Sequence, residues 1–221
     1  MSDEGFSVFE EILSPRECEL VANALNAGEL CRGRAGVRNL MSHPAAAKLA
    51  YDERLLNLAN EVLGGHSVPF RATLFHKSRD SNWHVLWHQD RALPLSNRVA
   101  SAEWGPWSTK SGVLYAFAPA WALERVVALR IHIDASTMDN GPLRVIPGTH
   151  ASGVLCGADI HRFISTVPAR ACVVGRGGAL AMRPLLLHSS MKASNNQPRR
   201  VLHIEYAVGL NFGNKIRLNV A

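Results

Sequence analysis

A histidine and an aspartate two residues apart, His88 and Asp90, are the side chains whose types and spacing most directly suggest metal chemistry. They follow residues 83–87, an aromatic and aliphatic stretch that disfavours a helix. On an extended segment, side chains alternate between two faces, so the imidazole and the carboxylate should share one face. A later histidine, His188, would complete the two-histidine, one-carboxylate set that holds Fe(II) and leaves other coordination positions open.

Three further histidines are alternative candidates. His84 lies on the same predicted strand face as His88, but a ligand pair four residues apart needs a helix. We therefore expect His84 to be structural or to lie behind the ligands. His132 and His203 are on predicted strand faces, where either could hydrogen-bond a ligand or substrate. We expect both to be satisfied core histidines.

The elements that position these residues begin with a mainly helical part, residues 1–65. Ser14 can cap a helix, Pro15 suits its first position, and Glu17 completes a capping box, with Gly28 as a plausible end. A short strand is predicted within residues 5–13. A second helical region runs from about residue 42 to residue 65, with a break near Asp52, and we expect these helices to pack on a sheet.

From residue 66 to 221 the pattern changes to short strand-like runs separated by glycine and proline turns, which is typical of a β-sandwich or jelly roll. In residues 199–210 the alternation places Arg199, His203 and Glu205 on one face and Arg200 on the other. The predicted strands are residues 70–76, 126–134, 143–146, 171–174, 179–182 and 199–210.

Residues 91–121 show little periodicity and are rich in proline, serine, glycine and tryptophan, so we expect a lid or binding loop there. Its tryptophans, Trp104, Trp107 and Trp121, either wall an apolar substrate pocket or simply pack within the loop. Lys77 and Lys110 could meet an anionic group, although solvated lysines are the commoner outcome.

Composition narrows the class of protein. The 221 residues, 47% hydrophobic and 19% charged, fit one soluble domain spanning 1–221, and no apolar run reaches the roughly 20 residues of a membrane span. We expect a cytoplasmic protein with no membrane partner.

The 24 basic and 18 acidic residues give a net charge of +6, but the basic residues are spread along the chain, so no nucleic-acid partner is expected. An anionic cosubstrate would account for part of the excess. The four cysteines are scattered, which predicts reduced, mostly buried thiols.

Several segments resemble the phytanoyl-CoA dioxygenase family: residues 5–17, the Trp87-His88-Gln89-Asp90 box, the Asn-Gly-Pro turn with its following strand in residues 139–150, and residues 182–200. They keep the family's order and cover nearly the whole chain. The resemblance implies a double-stranded β-helix (a jelly roll, cupin-like) with N-terminal helices packed on the sheet. It also implies an Fe(II)- and 2-oxoglutarate-dependent oxygenase that uses O2.

The resemblance further implies that His88, Asp90 and His188 bind iron. It implies that Arg199, at the family's spacing of eleven after the distal histidine, binds the far carboxylate of 2-oxoglutarate, chemistry that suits a planar guanidinium. Arg200 would face the other way. Further positions match cosubstrate-holding or cosubstrate-lining sites of the family: Ser190, Gln89 and Arg130.

The resemblance implies hydroxylation of an unactivated carbon of a small organic substrate, with release of succinate and CO2. The acid at position 90 favours hydroxylation, or another oxidation that needs no bound halide, over halogenation, because halogenating relatives carry a small residue there. Two other classes stay open. A cupin-like metal protein would not use 2-oxoglutarate and would have no need of Arg199. A non-catalytic binding module would bury two histidines and a carboxylate without a metal, which is costly. The sequence specifies neither the substrate nor the oligomeric state.

Overall fold

A computed structural model describes residues 3–26, 36–79, 81–213 and 215–221. The predicted helix end at Gly28 and the thiol of Cys31 lie outside these residues. Of the other cysteines, Cys18 and Cys172 are buried free thiols and Cys156 is exposed. In the part of the chain that the structure describes, every helix is too short or too polar to cross a membrane.

The N-terminal helices form as the capping residues predict. The helices are α1 (Pro15–Asn26), α2 (Pro44–Ala50) and α3 (Glu53–Leu63). The Glu17 carboxylate accepts from the Ser14 backbone N–H at 2.8 Å, and the Glu17 N–H donates to the Ser14 hydroxyl at 3.3 Å, which is a complete capping box. Asp52 caps α3 by accepting from the Arg54 N–H at 3.0 Å, so the predicted break near Asp52 is confirmed.

Six antiparallel strands form the larger sheet. The strands are β1 (Phe6–Phe9), β2 (Gly36–Val37), β3 (Val68–Lys77), β8 (Val126–His132), β11 (Ala179–Met182) and β13 (Arg199–Ala207). Their spatial order is β1-β11-β8-β13-β3-β2. Strands that follow one another in the chain are therefore mostly not neighbours in this sheet. Its central strands are connected by long segments that belong to the rest of the fold.

A smaller antiparallel sheet has the order β10-β9-β12-β4, from β4 (Val85–His88), β9 (Leu143–Val145), β10 (Arg170–Cys172) and β12 (His188–Ser190). One core cluster combines Ala128 and Met182 of the larger sheet with Val145 and Cys172 of the smaller sheet. The two sheets therefore face each other across a shared core, which is the predicted mainly β jelly roll.

Residues 91–121, where weak periodicity predicts a lid or binding loop, include regular strands. They contain a three-stranded antiparallel sheet, order β5-β7-β6, from β5 (Ala92–Leu95), β6 (Trp107–Lys110) and β7 (Val113–Phe117), followed by the short helix α4 (Ala120–Leu123). Trp104 is buried, and its ring and the ring of Trp121 both pack against Phe212. The pairing of these strands, rather than any local pattern, orders this segment.

The remaining helix, α5 (Gly157–Thr166), precedes β10.

The N-terminal helices cover the outer face of the larger sheet. Leu55 and Ala59 of α3 share a core cluster with Ile131 of β8 and Leu202 and Tyr206 of β13. The Tyr206 hydroxyl, buried in that layer, donates to the carbonyl oxygen of Ala50 at 2.9 Å. Since alternate residues of β13 face these helices, the others face the space between the two sheets, and that space holds the candidate site.

Candidate metal centre and adjoining cavities

His88, Asp90 and His188 meet at one end of the smaller sheet. His88 ends β4 and His188 begins β12, and the two residues are direct cross-strand partners. The backbone N–H of Asp90 donates to the carbonyl of Pro184 at 2.9 Å, which fixes the chain just after β4. One ligand atom from each of the three residues lies within 4.8 Å of the others. The geometry that the His-X-Asp spacing predicts is therefore present.

Each imidazole is held in the tautomer that a metal needs. The Nδ1 atoms of His88 and His188 are both 2.8 Å from the carbonyl oxygen two residues earlier, on Leu86 and Leu186. A carbonyl oxygen can only accept, so each Nδ1 carries the proton. The two Nε2 atoms therefore present lone pairs, each 3.6 Å from an oxygen of Asp90. Such backbone bonds to the outer ring nitrogen are the usual support of metal-bound histidines.

Burial and mutual charge set the protonation of the three groups. Burial lowers the pKa of His188 to about 4. Burial acts to raise the pKa of Asp90, but the facing His188 and His88 outweigh it and hold that pKa well below its usual range. For His88, burial is the largest single influence and acts to lower the pKa, but the hydrogen bond and negative charge of Asp90, together with the Leu86 carbonyl, outweigh it and raise that pKa. A metal ion at this site would therefore compete with a proton at His88 rather than at His188.

A cavity of about 90 Å³ beside the triad is lined by three cations, Lys77, Arg130 and Arg199. Their exposed fractions are 1%, 6% and 3%. Asp90 is the one carboxylate among the described residues that line this cavity. Within the described parts of the chain, Nε and Nη1 of Arg199 are buried without a hydrogen-bond partner. Buried charges without counterions are costly, so this cavity is suited to an anion.

The alternation of β13 separates the two neighbouring arginines as expected. Arg199 lines the cavity, whereas Arg200 makes a bidentate pair with Asp134, with N–O distances of 2.7 and 2.8 Å. Burial, and then the nearby Arg130, lower the pKa of Arg199 to about 9. Arg199 therefore lies on the strand face that the alternation predicts, and Arg200 on the other.

For Lys77 the sequence left two alternatives, an anionic partner or the commoner solvated position, and the structure buries the side chain in the cavity wall. Lys77 is the last residue of β3, and its ammonium donates to the Ser190 hydroxyl at 2.7 Å and to the Met191 carbonyl. Burial lowers its pKa to about 7. Thr73 and Phe75 share its strand parity and also line the site's cavities, so period-two alternation from those residues could have identified it.

The other predicted cosubstrate residues differ in how available they are. Ser190 lines the cavity and donates to the Gly141 carbonyl at 2.9 Å while accepting from Lys77. Gln89 is committed elsewhere, because its amide nitrogen donates to the carbonyls of Leu185 and Gly153 and its oxygen accepts from Leu155. Through these contacts Gln89 links three backbone segments of the protein, and its amide is not open to a cosubstrate.

Arg130 and two histidines of the larger sheet, His132 and His203, are also buried in the space between the two sheets. The Arg130 guanidinium donates to Nδ1 of His203 at 3.1 Å and lies over the Phe75 ring at 5.2 Å from its centroid. His203 is thus satisfied, but it also lines a cavity. His132 is buried, neither ring nitrogen has a partner in the described residues, and burial followed by Arg130 lowers its pKa to about 3. His84 is exposed and lines neither cavity.

A second cavity, of about 370 Å³, adjoins the triad at His88 and Asp90. Among the described residues, it shares with the smaller cavity only Phe75, His88 and Asp90. The three tryptophans of residues 91–121 do not line it; its aromatic wall is formed by Tyr115, Phe117 and Phe75. The remaining lining residues are Arg38, Arg71, Thr73, Gln89, Arg91, Ala92, Lys110 and His203.

Comparison with known proteins identifies chains that are similar to this one. The family model of phytanoyl-CoA dioxygenase (PhyH) matches residues 1–201. Among curated proteins, an L-proline trans-4-hydroxylase from Streptomyces griseoviridis is 25% identical over 188 residues. That alignment covers 72% of this chain and 62% of the relative, so the chain spans less than two thirds of the relative's length.

Solved structures show the same fold. AviO1 from Streptomyces viridochromogenes Tue57 has a TM-score of 0.68 at 23% identity, covering 92% of this chain and 90% of that one. EctD from S. alaskensis, solved with 2-oxoglutarate and 5-hydroxyectoine, has a TM-score of 0.69 at 20% identity, covering 93% of this chain and 72% of that one. HygX from Streptomyces hygroscopicus, solved with iron bound, has a TM-score of 0.64 at 18% identity, covering 93% and 82%.

Proposed function

Because the chain belongs to the phytanoyl-CoA dioxygenase family, we propose that it is an Fe(II)- and 2-oxoglutarate-dependent dioxygenase that hydroxylates a small organic substrate. The observation that carries the proposal is the triad with both Nε2 atoms turned inward, next to a cavity of three buried cations. A group of residues suited to a metal ion thus lies next to a cavity suited to a dianion.

The residues fit Fe(II) in donor type and in the tautomer of each imidazole. His88, Asp90 and His188 would hold the ion through two neutral imidazoles and one carboxylate, the set typical of non-haem iron oxygenases. When bound, iron and 2-oxoglutarate together activate O2 and supply the oxidising equivalents for hydroxylation, with succinate and CO2 as coproducts. Asp90 occupies the position that a halogenating enzyme would leave free, which supports hydroxylation.

The residues of the smaller cavity fit a dicarboxylate such as 2-oxoglutarate. Arg199 has two unpartnered donors to offer a carboxylate, and Lys77 adds a second charge opposite it. Ser190 accepts one N–H of Lys77 and so fixes the direction of the ammonium. The apolar side chains of Val85 and Leu143 line the same cavity and limit the access of water.

The two competing classes are less well supported. A cupin-like metal protein that does not use 2-oxoglutarate would bury Lys77, Arg130 and Arg199 at a large desolvation cost without a ligand to offset it. A non-catalytic binding module would have no use for inward-facing ring nitrogens. The curated relative is a proline hydroxylase, which supports a substrate of amino-acid size for the 370 Å³ cavity.

The test is an anaerobic titration of the apoprotein with Fe(II) and then with 2-oxoglutarate, following the visible metal-to-ligand charge-transfer band. We expect the band to appear only after both additions, since chelation of iron by the keto acid produces it. Iron binding without the band would favour the cupin-like class. No iron binding at all would leave a scaffold without the proposed chemistry.

A further inference from the structure

We propose that the substrate is a small acid and that its carboxylate or phosphate group pairs with Arg91 in the wall of the larger cavity. The inference rests on the proposed function, because it takes that cavity to be the compartment for the substrate. It adds the charge class of the substrate and the residue that selects it.

The larger cavity is strongly positive. Four cationic side chains line it, Arg38, Arg71, Arg91 and Lys110, and Asp90 is the one carboxylate among its described lining residues. Asp90 belongs to the candidate metal site, so its charge would be offset by the metal. A cavity with low-dielectric walls and one sign of charge attracts and holds small ions of the opposite sign.

One of these cations is already neutralised. The Arg71 guanidinium is paired with Glu205, whose exposed fraction is 1%, and it also donates to the Ala92 carbonyl at 2.9 Å. Its charge and two of its donors are therefore used within the protein. Arg71 forms part of the cavity wall, and its pairing leaves the recognition of an anion to the other three cations.

Arg91 is the cation best placed for this recognition. Its Nε atom is buried without a hydrogen-bond partner, and its side chain pairs with no carboxylate, within the described residues. The guanidinium lies over the Phe117 ring, 4.8 Å from the centroid, and the Arg91 carbonyl accepts from the Ala118 N–H at 2.9 Å. Both backbone and side chain are therefore held in place, while the Nε–H group has no partner among the described residues. A planar guanidinium of this kind binds a carboxylate or phosphate through two parallel hydrogen bonds.

The other two cations are at the rim. Arg38 and Lys110 are exposed, and Lys110 lies over the Tyr115 ring at 5.6 Å from the centroid. Exposed charges contribute attraction at a distance rather than a fixed pairing. Phe75 and Phe117 provide apolar surface for the body of the ligand. The arrangement suits a compact acid whose charged end meets Arg91 beside the triad.

The cosubstrate does not account for these cations. The smaller cavity has its own set, Lys77, Arg130 and Arg199, and Phe75, His88 and Asp90 are the described residues that the two cavities share. A dicarboxylate held by Arg199 therefore leaves Arg91 unpaired. The charge around the triad is that of a site for two separate anions.

The test is ligand binding to the anaerobic protein loaded with Fe(II) and just saturated with 2-oxoglutarate, measured by saturation-transfer NMR and titration. The probes are acids with their uncharged-group counterparts: L-proline with L-prolinamide, benzoate with benzamide, and phenyl phosphate with phenol. We expect at least one acid to bind about tenfold or more tighter than its counterpart, the loss that a missing charge-assisted pair produces. The carboxylate and phosphate arms show which group the site prefers.

Arg91→Gln should abolish that preference, whereas Arg91→Lys should retain part of it. The matched control is Arg98→Gln, because Arg98 is also stacked on an aromatic ring, 5.6 Å from the Trp107 centroid, but lies outside the cavity lining. The inference is overturned if no acid binds at 10 mM (roughly the weakest affinity that a single charge-assisted pair supports). It is also overturned if counterparts bind equally well, or if Arg91→Gln leaves the preference intact.

The charge-transfer band of the same samples reports the proposed function separately. Samples that form the band without a preference for acids overturn the inference alone. Samples without the band overturn the proposed function, and the inference with it.

Discussion

Lys77 and Arg199 are directly opposite each other on β3 and β13, and both side chains are buried. Like charges at opposed positions of neighbouring strands destabilise a sheet, and more so without solvent to screen them. The pair therefore lowers the stability of the folded protein unless an anion binds between the two charges. This relationship explains why a charged cavity lies next to the candidate metal ligands.

Replacing a triad residue should remove metal binding. With Ala at His88, Asp90 or His188, we expect the Fe(II) affinity to fall by about 100-fold or more, because two ligands do not complete a facial site. Anaerobic Fe(II) titration measures this. The control is His84→Ala, whose side chain is exposed and lines neither cavity. Normal iron affinity in the His188→Ala variant would contradict the assignment.

The neighbouring arginines of β13 should have separable roles. Arg199→Gln should raise the 2-oxoglutarate concentration needed for half of the charge-transfer band by about 10- to 100-fold, as expected for a lost charge-assisted bond. Arg200→Gln should leave that concentration unchanged. It should instead lower the free energy of unfolding by about 1–2 kcal/mol, because Asp134 loses a half-buried bidentate partner. The reverse pattern would mean that the strand register is wrong by one residue.

Lys77 should make the apoprotein more stable as pH rises. Burial depresses its pKa to about 7 in the folded protein, against the usual value near 10.5. Between those values the unfolded chain binds the extra proton, so the free energy of unfolding increases with pH, by about 1 kcal/mol per pH unit. Lys77→Met should reduce that slope between pH 7.5 and 9 in urea unfolding experiments. Equal slopes for the two proteins would show that burial does not depress the pKa of Lys77 in the folded protein.

Removing one member of the buried ion pair between Arg71 and Glu205, at the wall of the larger cavity, should destabilise the protein. Glu205→Gln leaves the Arg71 charge without a counterion in the interior, and we expect the free energy of unfolding to fall by about 3–5 kcal/mol. The comparison variant is Glu17→Gln, which breaks an ion pair with Arg54 at the surface and should cost about 1 kcal/mol or less. Urea unfolding at neutral pH measures both, and similar losses for the two would argue against a buried pair.

Much of this arrangement could be predicted because it depends on local periodicity. The two-residue spacing of His88 and Asp90 places both on one face of an extended segment wherever that segment pairs. The same alternation separated Arg199 from Arg200. The helix starts at Ser14 and Asp52 were equally local, since capping satisfies backbone groups within three residues.

Other features depend on which strands become neighbours, and only the tertiary structure decided them. Lys77 begins a polar stretch that resembles a solvated turn, but β3 pairs with β13 up to that residue and encloses its side chain. Gln89 belongs to the ligand box in sequence, yet backbone groups from residues 153, 155 and 185 occupy its amide. Residues 91–121 form a sheet whose strands stabilise one another despite weak individual patterns.

The sequence by itself determined the metal-ligand chemistry and the faces on which the side chains lie, because residue type and period-two alternation are properties of the local chain. The tertiary structure decided which charges are buried and which cavities they share. That outcome depends on pairing between segments far apart in the chain, such as β4 with β12 and β3 with β13. Local periodicity carries no information about such partners, and the cost of burying a charge is set by the partners that surround it.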